Sequence, residues 1–342
     1  MTDTYNSSAH ETIAHETIHE TTDETNDETS HVSTEPAKSD TADSSSHQAL
    51  RPTWRDYITL TKPKVISLLL FTTLGAMFIA ARGMPNLLMI LGVMVGGYMS
   101  AGAAGVYNMI YDRDIDAKMK RTAKRPTVTA LIPTSHALIF AITLTILSFV
   151  VIAAVSNVLA ALLSWAGIAF YVIIYTMWLK RSTWQNIVIG GAAGAIPPLV
   201  GWAAVTGELS LMAWLLFALI FMWTPVHFWA LALLIKDDYA KVGVPMAPAV
   251  IGERATVMHM VMYTALTIIL TLVPFVMREL SFAYFIAAFL LNAALLFRVL
   301  KLYWLVRRER TIERPLALNV YKFSMAYLAL LFLSMALDRA LL

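Results

Sequence analysis

Long apolar stretches dominate this 342-residue sequence and limit it to one class of fold. Each is long enough to cross about 30 Å of hydrocarbon as a helix. Backbone groups in lipid must be satisfied internally, so continuous apolar runs favour helices over the alternating pattern of a membrane barrel. We therefore predict an all-α, polytopic membrane bundle. Its nine transmembrane helices are expected at 65–82, 87–110, 135–155, 157–178, 185–205, 210–235, 256–276, 281–298 and 317–337.

Basic residues between the predicted helices indicate how the chain is oriented. With the amino terminus in the cytoplasm, the cytoplasmic segments hold 22 Lys and Arg residues, whereas the external segments hold Arg82, Arg278 and Arg339. Positive charge is enriched in the cytoplasmic loops of membrane proteins. We therefore expect a cytoplasmic amino terminus and an external carboxyl terminus.

Residues 1–50 differ sharply in composition from the rest of the chain. They hold eleven Asp and Glu residues against one base, Lys38, and almost no large apolar side chains. Such a segment cannot offset the entropy of ordering, so we predict a disordered acidic cytoplasmic tail followed by a membrane domain at 51–342. The segment lacks the apolar core of a signal peptide and the basic character of a mitochondrial presequence, which favours a bacterial cytoplasmic membrane.

Composition excludes several kinds of protein. The 58% hydrophobic and 14% charged residues argue against an ordinary soluble domain. The sequence holds no cysteine, which excludes disulfide scaffolds, thiol nucleophiles and iron–sulfur clusters. We expect no nucleic-acid partner.

An acidic motif lies at the cytoplasmic end of the second predicted helix. Asn108, Asp112 and Asp116 are spaced by four residues, so they lie within an arc of about 80° on one helix face. Clustered carboxylates repel each other without a metal, and such oxygen ligands suit Mg²⁺, which often bridges carboxylates and phosphates. Asp114 faces away, and we expect it to be solvated or salt-bridged. The alternative interpretation of the motif is a solvated helix end.

Basic side chains follow the acidic motif directly, among them Arg121 and Arg125 at a spacing of four. Arginine forks match the oxygens of phosphate groups. Beside the carboxylates, these bases favour a magnesium–diphosphate site. The alternative for the bases alone is an ordinary cytoplasmic loop enriched in positive charge.

A second polar stretch follows the sixth predicted helix on the same side of the membrane. We expect Asp237, Asp238, Tyr239 and Lys241 to face the first motif. His227 lies about 12 Å from the end of that helix, and an ionisable residue inside the membrane is a functional candidate. Three interpretations of His227 stay open: a ligand to a metal carried by the substrate, a group that handles protons or hydrogen-bonds substrate, and a structural residue.

The motif Asn108-x-x-x-Asp112-x-x-x-Asp116 resembles the first aspartate motif of the UbiA-type intramembrane prenyltransferases. Within that family the chain is most similar to the branch that acts on heme. The quinone branch has Asp-x-x-x-Asp as its second motif, whereas in this sequence Asp237 is followed four residues later by Lys241. That difference leaves the number of magnesium ions open. Further segments that support the resemblance occur in order between about residues 55 and 330, at 60–64, 118–126, 179–181, 186–202, 224–232 and 238–246.

The resemblance implies transfer of a farnesyl group from farnesyl diphosphate to a vinyl group of heme b, with addition of water and release of diphosphate. It implies Mg²⁺ as a cofactor held by Asn108, Asp112 and Asp116, and heme b as a substrate. It further implies catalytic roles for Asp237, Asp238 and Tyr239, diphosphate binding by Lys64, Arg121, Arg125 and Lys241, and heme binding by His227 and Trp229. The lipid bilayer would surround both apolar substrates, and a heme A synthase would act downstream.

Two other function classes stay open. A prenyltransferase that acts on a quinone precursor would share the fold and the metal motif, but His227, Trp229 and Lys241 argue against it. A transporter would place its ionisable groups near the middle of the membrane, whereas here the carboxylates cluster at one membrane edge.

Overall fold

The computed structural model describes residues 51–309 and 314–341, and this part of the chain is helical and has no β-strand. The predicted acidic tail at 1–50 lies outside the described residues. The helices are α1 (Trp54–Thr61), α2 (Pro63–Ala81), α3 (Leu87–Tyr111), α4 (Arg113–Asp116), α5 (Thr134–Val155), α6 (Val158–Ala169), the π-helix π1 (Phe170–Leu179), α7 (Lys180–Ser182), α8 (Asn186–Thr206), α9 (Leu211–Leu234), α10 (Lys236–Lys241), α11 (Ala247–Val250), α12 (Gly252–Val276), α13 (Phe282–Glu309) and α14 (Arg314–Leu341).

Each predicted transmembrane stretch corresponds to a helix that is long and apolar enough to cross a membrane, nine within the described residues. The prediction of an all-α, multi-pass membrane protein is therefore confirmed. The fourth span runs without a break through α6, π1 and α7. The orientation of the termini stays a prediction.

The helix of the eighth span extends beyond its predicted end at residue 298, because α13 continues to Glu309. A 28-residue helix is about 42 Å long, whereas the hydrocarbon layer is about 30 Å thick. Hydropathy marks where the apolar surface ends, and Leu, Lys and Arg beyond that point are good helix formers. The helix is therefore longer than the apolar stretch from which it was predicted.

Glycines in α3 allow the junction between α1 and α2 to approach closely. A Cβ atom at Gly102 would lie 3.1 Å from the Thr61 side chain, and one at Gly105 would lie 3.3 Å from the Thr61 carbonyl oxygen. Small residues permit such contacts between helices in membranes. Lys62, between α1 and α2, has a left-handed φ of 58°, which costs a residue with a Cβ about 1–2 kcal/mol. The junction thus holds Lys62 near the end of α3.

The second half of the fourth span has π geometry. Thr176 Oγ1 donates a hydrogen bond to the carbonyl oxygen of Tyr171, five residues earlier, at 2.9 Å. π turns are rare and are often found at functional sites. Here π1 leads directly into Lys180, which is buried.

A neutral polar network joins the last three spans inside the membrane. The Asn292 side chain donates to Thr271 Oγ1 at 2.8 Å and accepts from the Tyr327 hydroxyl at 2.7 Å. The Tyr284 hydroxyl donates to the Thr271 carbonyl oxygen at 2.7 Å. These bonds satisfy buried polar groups that have no access to water, so they fix α12, α13 and α14 to one another.

Charged groups at the opposite end of the bundle from α4 also serve the fold. Near the end of α14, Asp338 accepts hydrogen bonds from the backbone N–H groups of Ser281 and Tyr284 at 2.8 and 3.3 Å and from the Ser281 hydroxyl. The carboxylate therefore caps the start of α13. Its neighbour Arg339 pairs with Glu279 at 2.8 Å.

Candidate functional site

The acidic motif is buried where α3 ends and α4 begins. Asn108 lies in α3, Asp112 lies between the two helices, and Asp116 is the last residue of α4. Their exposed fractions are 4%, 0% and 3%. Asn108 Nδ2 donates to Asp112 Oδ2 at 2.7 Å and is 3.2 Å from Thr176 Oγ1. The structure thus brings Asn108 and Asp112 together, as their spacing predicts, and excludes a solvated helix end.

Each member of this motif contacts a cation from another element. The pairs are Lys62 with Asn108, Lys180 with Asp112, and Arg125 with Asp116. The Lys62 Nζ to Asn108 Oδ1 distance is 2.7 Å. Three basic side chains thus surround two buried carboxylates. Buried charge is costly unless it is paired, so this arrangement suits a polyanionic ligand.

Asp114 and Arg181 form an outer ion pair at the same end of the bundle. The Arg181 guanidinium donates to both carboxylate oxygens of Asp114, at 2.8 and 2.7 Å. This hydrogen bonding lowers the pKa of Asp114. The expectation that Asp114 is solvated or salt-bridged is confirmed. Arg181 also lies 3.6 Å from Asp112 Oδ1 and so connects the outer pair to the buried motif.

One oxygen of the motif has no hydrogen-bond donor. Asp112 Oδ1 is buried and accepts no hydrogen bond within the described part of the chain. An unsatisfied buried acceptor costs about 1–3 kcal/mol, and a bound cation would remove that cost. The described residues contain no cluster of three or more His, Cys, Asp or Glu side chains placed to hold a metal. The set is instead two carboxylates and the Asn108 amide, oxygen donors of the type that Mg²⁺ prefers, so the residues fit this ion.

Lys62 is a site residue that sequence reasoning missed in favour of Lys64. Lys64 is exposed and makes no side-chain hydrogen bond or ion pair within the described residues, whereas Lys62 reaches Asn108. Burial lowers the pKa of Lys62 to about 7, and Arg125 and Lys180 act in the same direction. The available signal was Pro63, because a residue before proline is kept out of the helical region and marks a break between helices.

Lys180 is the second site residue that sequence reasoning missed. It follows Asp112 by 68 residues and meets it only through the packing of the fourth span against α3. In sequence it belongs to the basic segment that the positive-inside rule already explains. Lys180 differs from the neighbouring basic residues in being buried, and the spacing of residues in the sequence does not reveal burial.

In the second polar stretch, α10 directs one residue toward the motif. Tyr239 is 7% exposed, while Asp237 is exposed and Asp238 is half-buried. Successive helical residues are rotated by about 100°, so Asp237 and Tyr239 lie on opposite sides of this short helix. Tyr239 is therefore the residue that reaches inward.

Electrostatics connect Tyr239 with the first motif. Burial raises the pKa of its hydroxyl group, Arg121 and Arg125 oppose this change, and Asp112 and Asp116 reinforce it. The phenol is therefore neutral at physiological pH and able to donate a hydrogen bond. Of the predicted bases, Arg125 is paired with Asp116, and Arg121 is exposed.

Three predicted residues of this stretch do not join the motif in the structure. Asp237, Asp238 and Lys241 form no side-chain hydrogen bond or ion pair with any described residue. The expected pair of facing carboxylate motifs is thus replaced by one carboxylate motif facing a phenol. The phase of α10 is the reason, since it turns Tyr239 inward and Asp237 outward.

His227 lies in α9 between two aromatic rings. Its imidazole stacks on Trp223 at 4.5 Å and on Tyr321 of α14 at 4.9 Å between ring centres. Its Nδ1 is 2.8 Å from Ser324 Oγ. The two stacked rings and Ser324 hold the imidazole in position, and the residue as a whole is half-buried.

Trp229 lies in the packed interior. It has no exposed surface, and its Nε1 has no hydrogen-bond partner in the described part of the chain. Its ring packs near those of Trp184, His259 and Tyr263. The position differs from the expected contact with heme, because no ligand reaches this ring without displacing core side chains.

The site joins carboxylates, an amide and polyanion-binding cations at one edge of a membrane bundle. The model of the UbiA prenyltransferase family matches residues 69–336. The chain belongs to the UbiA prenyltransferase family. Its predicted resemblance to UbiA proteins is confirmed over most of the membrane domain.

Curated relatives of this UbiA protein are named protoheme IX farnesyltransferase. The relative from Deinococcus radiodurans is 57% identical over 85% of this chain and 95% of that protein. A relative from Thermus thermophilus is 60% identical over 84% of this chain and 46% of that protein. The chain therefore spans about half the length of the Thermus relative.

Two solved structures share the fold of this chain. A structure described as digeranylgeranylglyceryl phosphate synthase has a TM-score of 0.69 at 18% identity, covering 84% of this chain and 99% of that one. A UbiA homolog from Archaeoglobus fulgidus, bound to DMAPP and Mg²⁺, has a TM-score of 0.60 at 18% identity, with coverages of 82% and 99%. At this identity the likeness concerns the fold alone.

Proposed function

We propose that this protein transfers a farnesyl group from farnesyl diphosphate to a vinyl group of heme b, with addition of water and release of diphosphate, giving heme O. The geometry that carries the proposal is Asp112, a fully buried carboxylate with an unsatisfied oxygen and cations around it. The choice of acceptor is supported by the name that relatives 48–60% identical to this chain share.

The leaving diphosphate would lie at the acidic motif. Mg²⁺ held by Asn108, Asp112 and Asp116 would neutralise diphosphate charge as the allylic bond breaks. The A. fulgidus homolog, which binds DMAPP and Mg²⁺, is a precedent within the fold. Lys62 and Lys180, now paired with the motif, are placed to shift their hydrogen bonds to phosphate oxygens.

The surroundings of the motif favour formation of an allylic cation. The rings of Tyr171 and Tyr175 of π1 lie 5.3 Å apart between centres and are tilted by 31°, and their π faces can stabilise positive charge. The neutral phenol of Tyr239 completes this wall beside Asp112. Buried aromatic side chains also exclude water, which would otherwise react with the cation.

The acceptor would bind deeper in the membrane. His227 lies seven residues before the end of α9, about 10 Å along the helix axis. A neutral imidazole is a common ligand of heme iron, so we place the porphyrin against His227. Trp229, which is buried, would support the shape of this region.

The other predicted assignments remain part of this proposal. Arg121 and Arg125 would contact diphosphate, while Lys64, Lys241, Asp237 and Asp238 would act only if substrate draws them inward. The chain would lie in the cytoplasmic membrane of a bacterium, with the motif end facing the cytoplasm. A heme A synthase would use the product.

The test is a transfer assay with competing acceptors. Purified protein is incubated with farnesyl diphosphate and Mg²⁺, together with either heme b or a quinone precursor such as 4-hydroxybenzoate. Mass spectrometry follows the acceptor, and a coupled assay follows diphosphate. We expect a hydroxyethylfarnesyl heme and an equal amount of diphosphate, both lost on chelation.

Each other outcome rejects part of the proposal. Prenylation of the quinone precursor alone would keep the site and replace the acceptor. Absence of diphosphate release in folded protein with either acceptor would favour the transporter.

A further inference from the structure

Ser324 of α14 makes two contacts with the same face of α9. Its carbonyl oxygen accepts a hydrogen bond from Trp223 Nε1 at 3.0 Å, and its hydroxyl oxygen lies 2.8 Å from His227 Nδ1. Trp223 and His227 are four residues apart and thus neighbours on α9. One serine therefore holds both rings of the stack.

The donor in the His227 contact follows from the other bond of the hydroxyl group. Ser324 Oγ also lies 2.8 Å from the carbonyl oxygen of Tyr321. The carbonyl oxygen only accepts, whereas Nδ1 can donate, so both contacts are hydrogen bonds at the same time only when the single hydroxyl hydrogen points to Tyr321 and a lone pair faces Nδ1. Satisfying both contacts therefore requires that His227 carries its proton on Nδ1.

This tautomer leaves a lone pair on the other ring nitrogen. Nε2 has no hydrogen-bond partner among the described residues, and it is not one of the buried atoms that lack a partner. The nitrogen is therefore not completely buried. In metal sites, the hydrogen bond at one imidazole nitrogen orients the ring and fixes which nitrogen binds the metal.

We propose that Ser324 is a positioning residue that holds His227 in the Nδ1–H tautomer, so that Nε2 presents its lone pair to the iron of the heme substrate. The inference rests on the proposed function. Trp223 and Tyr321 clamp the imidazole between their rings, and Ser324 sets its rotation and its proton. Neither the motif at Asp112 nor the diphosphate takes part.

The chain offers a matched control for Ser324. Ser334, on the same helix, donates to the carbonyl oxygen of Leu331 at 2.8 Å, the same three-residue back bond. It has no histidine partner in the described structure. Ser324→Ala removes the acceptor for Nδ1, Ser324→Thr keeps a hydroxyl oxygen, and Ser334→Ala removes only a back bond.

The first measurement is the tautomer itself. Full-length protein labelled with ¹⁵N in its histidine rings is studied by NMR in detergent without heme, and the His227 signals are assigned by their loss in His227→Gln. We expect a protonated Nδ1 and an unprotonated Nε2 in the wild type and in the Ser334→Ala and Ser324→Thr variants. In Ser324→Ala we expect the Nε2–H form to increase.

The second measurement is titration with ferric heme b, followed by the Soret band and by the low-spin signal in electron paramagnetic resonance. We expect about tenfold weaker binding for Ser324→Ala, restored in Ser324→Thr and unchanged in Ser334→Ala. His227→Gln should lose the low-spin signal.

The outcomes separate this inference from the proposed function. If the wild type farnesylates heme b but Ser324→Ala has the same tautomer and the same heme affinity as the wild type, the role of Ser324 is overturned and the proposed function is unaffected. A wild type that transfers no farnesyl to heme b, although its Nδ1 is protonated, rejects the function and with it the iron contact. An unprotonated Nδ1 in the wild type overturns the inference directly.

Discussion

Two aspartates at opposite ends of the bundle are both buried but are bonded differently. Asp338 is 8% exposed, and its two oxygens accept from two backbone N–H groups and a hydroxyl group. Asp112 is fully buried, and its Oδ2 takes the Asn108 amide and Lys180 while Oδ1 accepts no hydrogen bond in the described structure.

The difference fits our proposal that Asp338 serves the fold and Asp112 serves a ligand. Asp338 caps the start of α13, where the backbone N–H groups need only a negatively charged acceptor in the right position. Asp112 pairs with Lys180, lies 3.6 Å from Arg181 and keeps one oxygen without a hydrogen bond in the described structure. Breaking each aspartate in turn should therefore affect different properties of the protein.

Asp112→Asn should give the largest effect on activity. Loss of a metal-binding oxygen removes several kcal/mol of charge stabilisation, so we expect the transfer rate to fall by at least about 10³-fold. Steady-state farnesyl transfer measures the change, and thermal unfolding in detergent serves as the control. An Asp112→Asn enzyme with more than a tenth of the wild-type rate would contradict the site.

Lys62→Ala tests whether the cations near Asp112 belong to the site. We expect activity to fall about 10- to 100-fold, as for other residues that hold a metal ligand in place. Lys64→Ala, two residues away and exposed, is the matched control and should change the rate less than twofold. Equal losses in both variants would mean that only the general positive charge of this surface matters.

Tyr239→Phe tests which side of α10 faces the motif. We expect a loss of about tenfold, since a hydrogen bond near a charged group contributes about 1.5 kcal/mol or more. Asp237→Asn lies on the opposite side of the helix and should be close to wild type. If Asp237→Asn is the more damaging change, substrate binding must rotate α10.

Asp338→Asn should act on stability and leave the reaction almost unchanged. Weakening a charged helix cap costs about 1–2 kcal/mol, which lowers the thermal midpoint by several degrees. Arg82→Ala is the control at the same end, because its ion pair with Glu279 is exposed and long at 3.5 Å and contributes little. A transfer rate for Asp338→Asn as low as that of Asp112→Asn would remove the distinction between the two ends.

The apolar pattern predicted the number and order of the spans because the membrane leaves only one solution for long apolar stretches. It misjudged α13, since hydropathy does not report where a helix of good helix formers ends. The spacing of Asn108 and Asp112 predicted their contact because both lie in one helix, where geometry is local.

The cations of the site could not be found in the same way. Lys62 and Lys180 reach the motif through a left-handed junction and through π1, and neither follows from regular helical spacing. Asp237 was expected to face the motif but is exposed, because the rotation of the six-residue helix α10 about its axis depends on the loops around it. All three depend on tertiary packing, which for Lys62 includes the close approach of Gly105 to the Thr61 carbonyl oxygen.

Binding of a farnesyl diphosphate analogue that cannot ionise, with and without Mg²⁺, tests the central claim most directly. Wild type, Asp112→Asn and Asp338→Asn are compared by isothermal titration in the same detergent. We expect Mg²⁺-dependent binding in the wild type and in Asp338→Asn, and at least about 100-fold weaker binding in Asp112→Asn. Undiminished Mg²⁺-dependent binding in Asp112→Asn would contradict the assignment of this aspartate to the metal–diphosphate site.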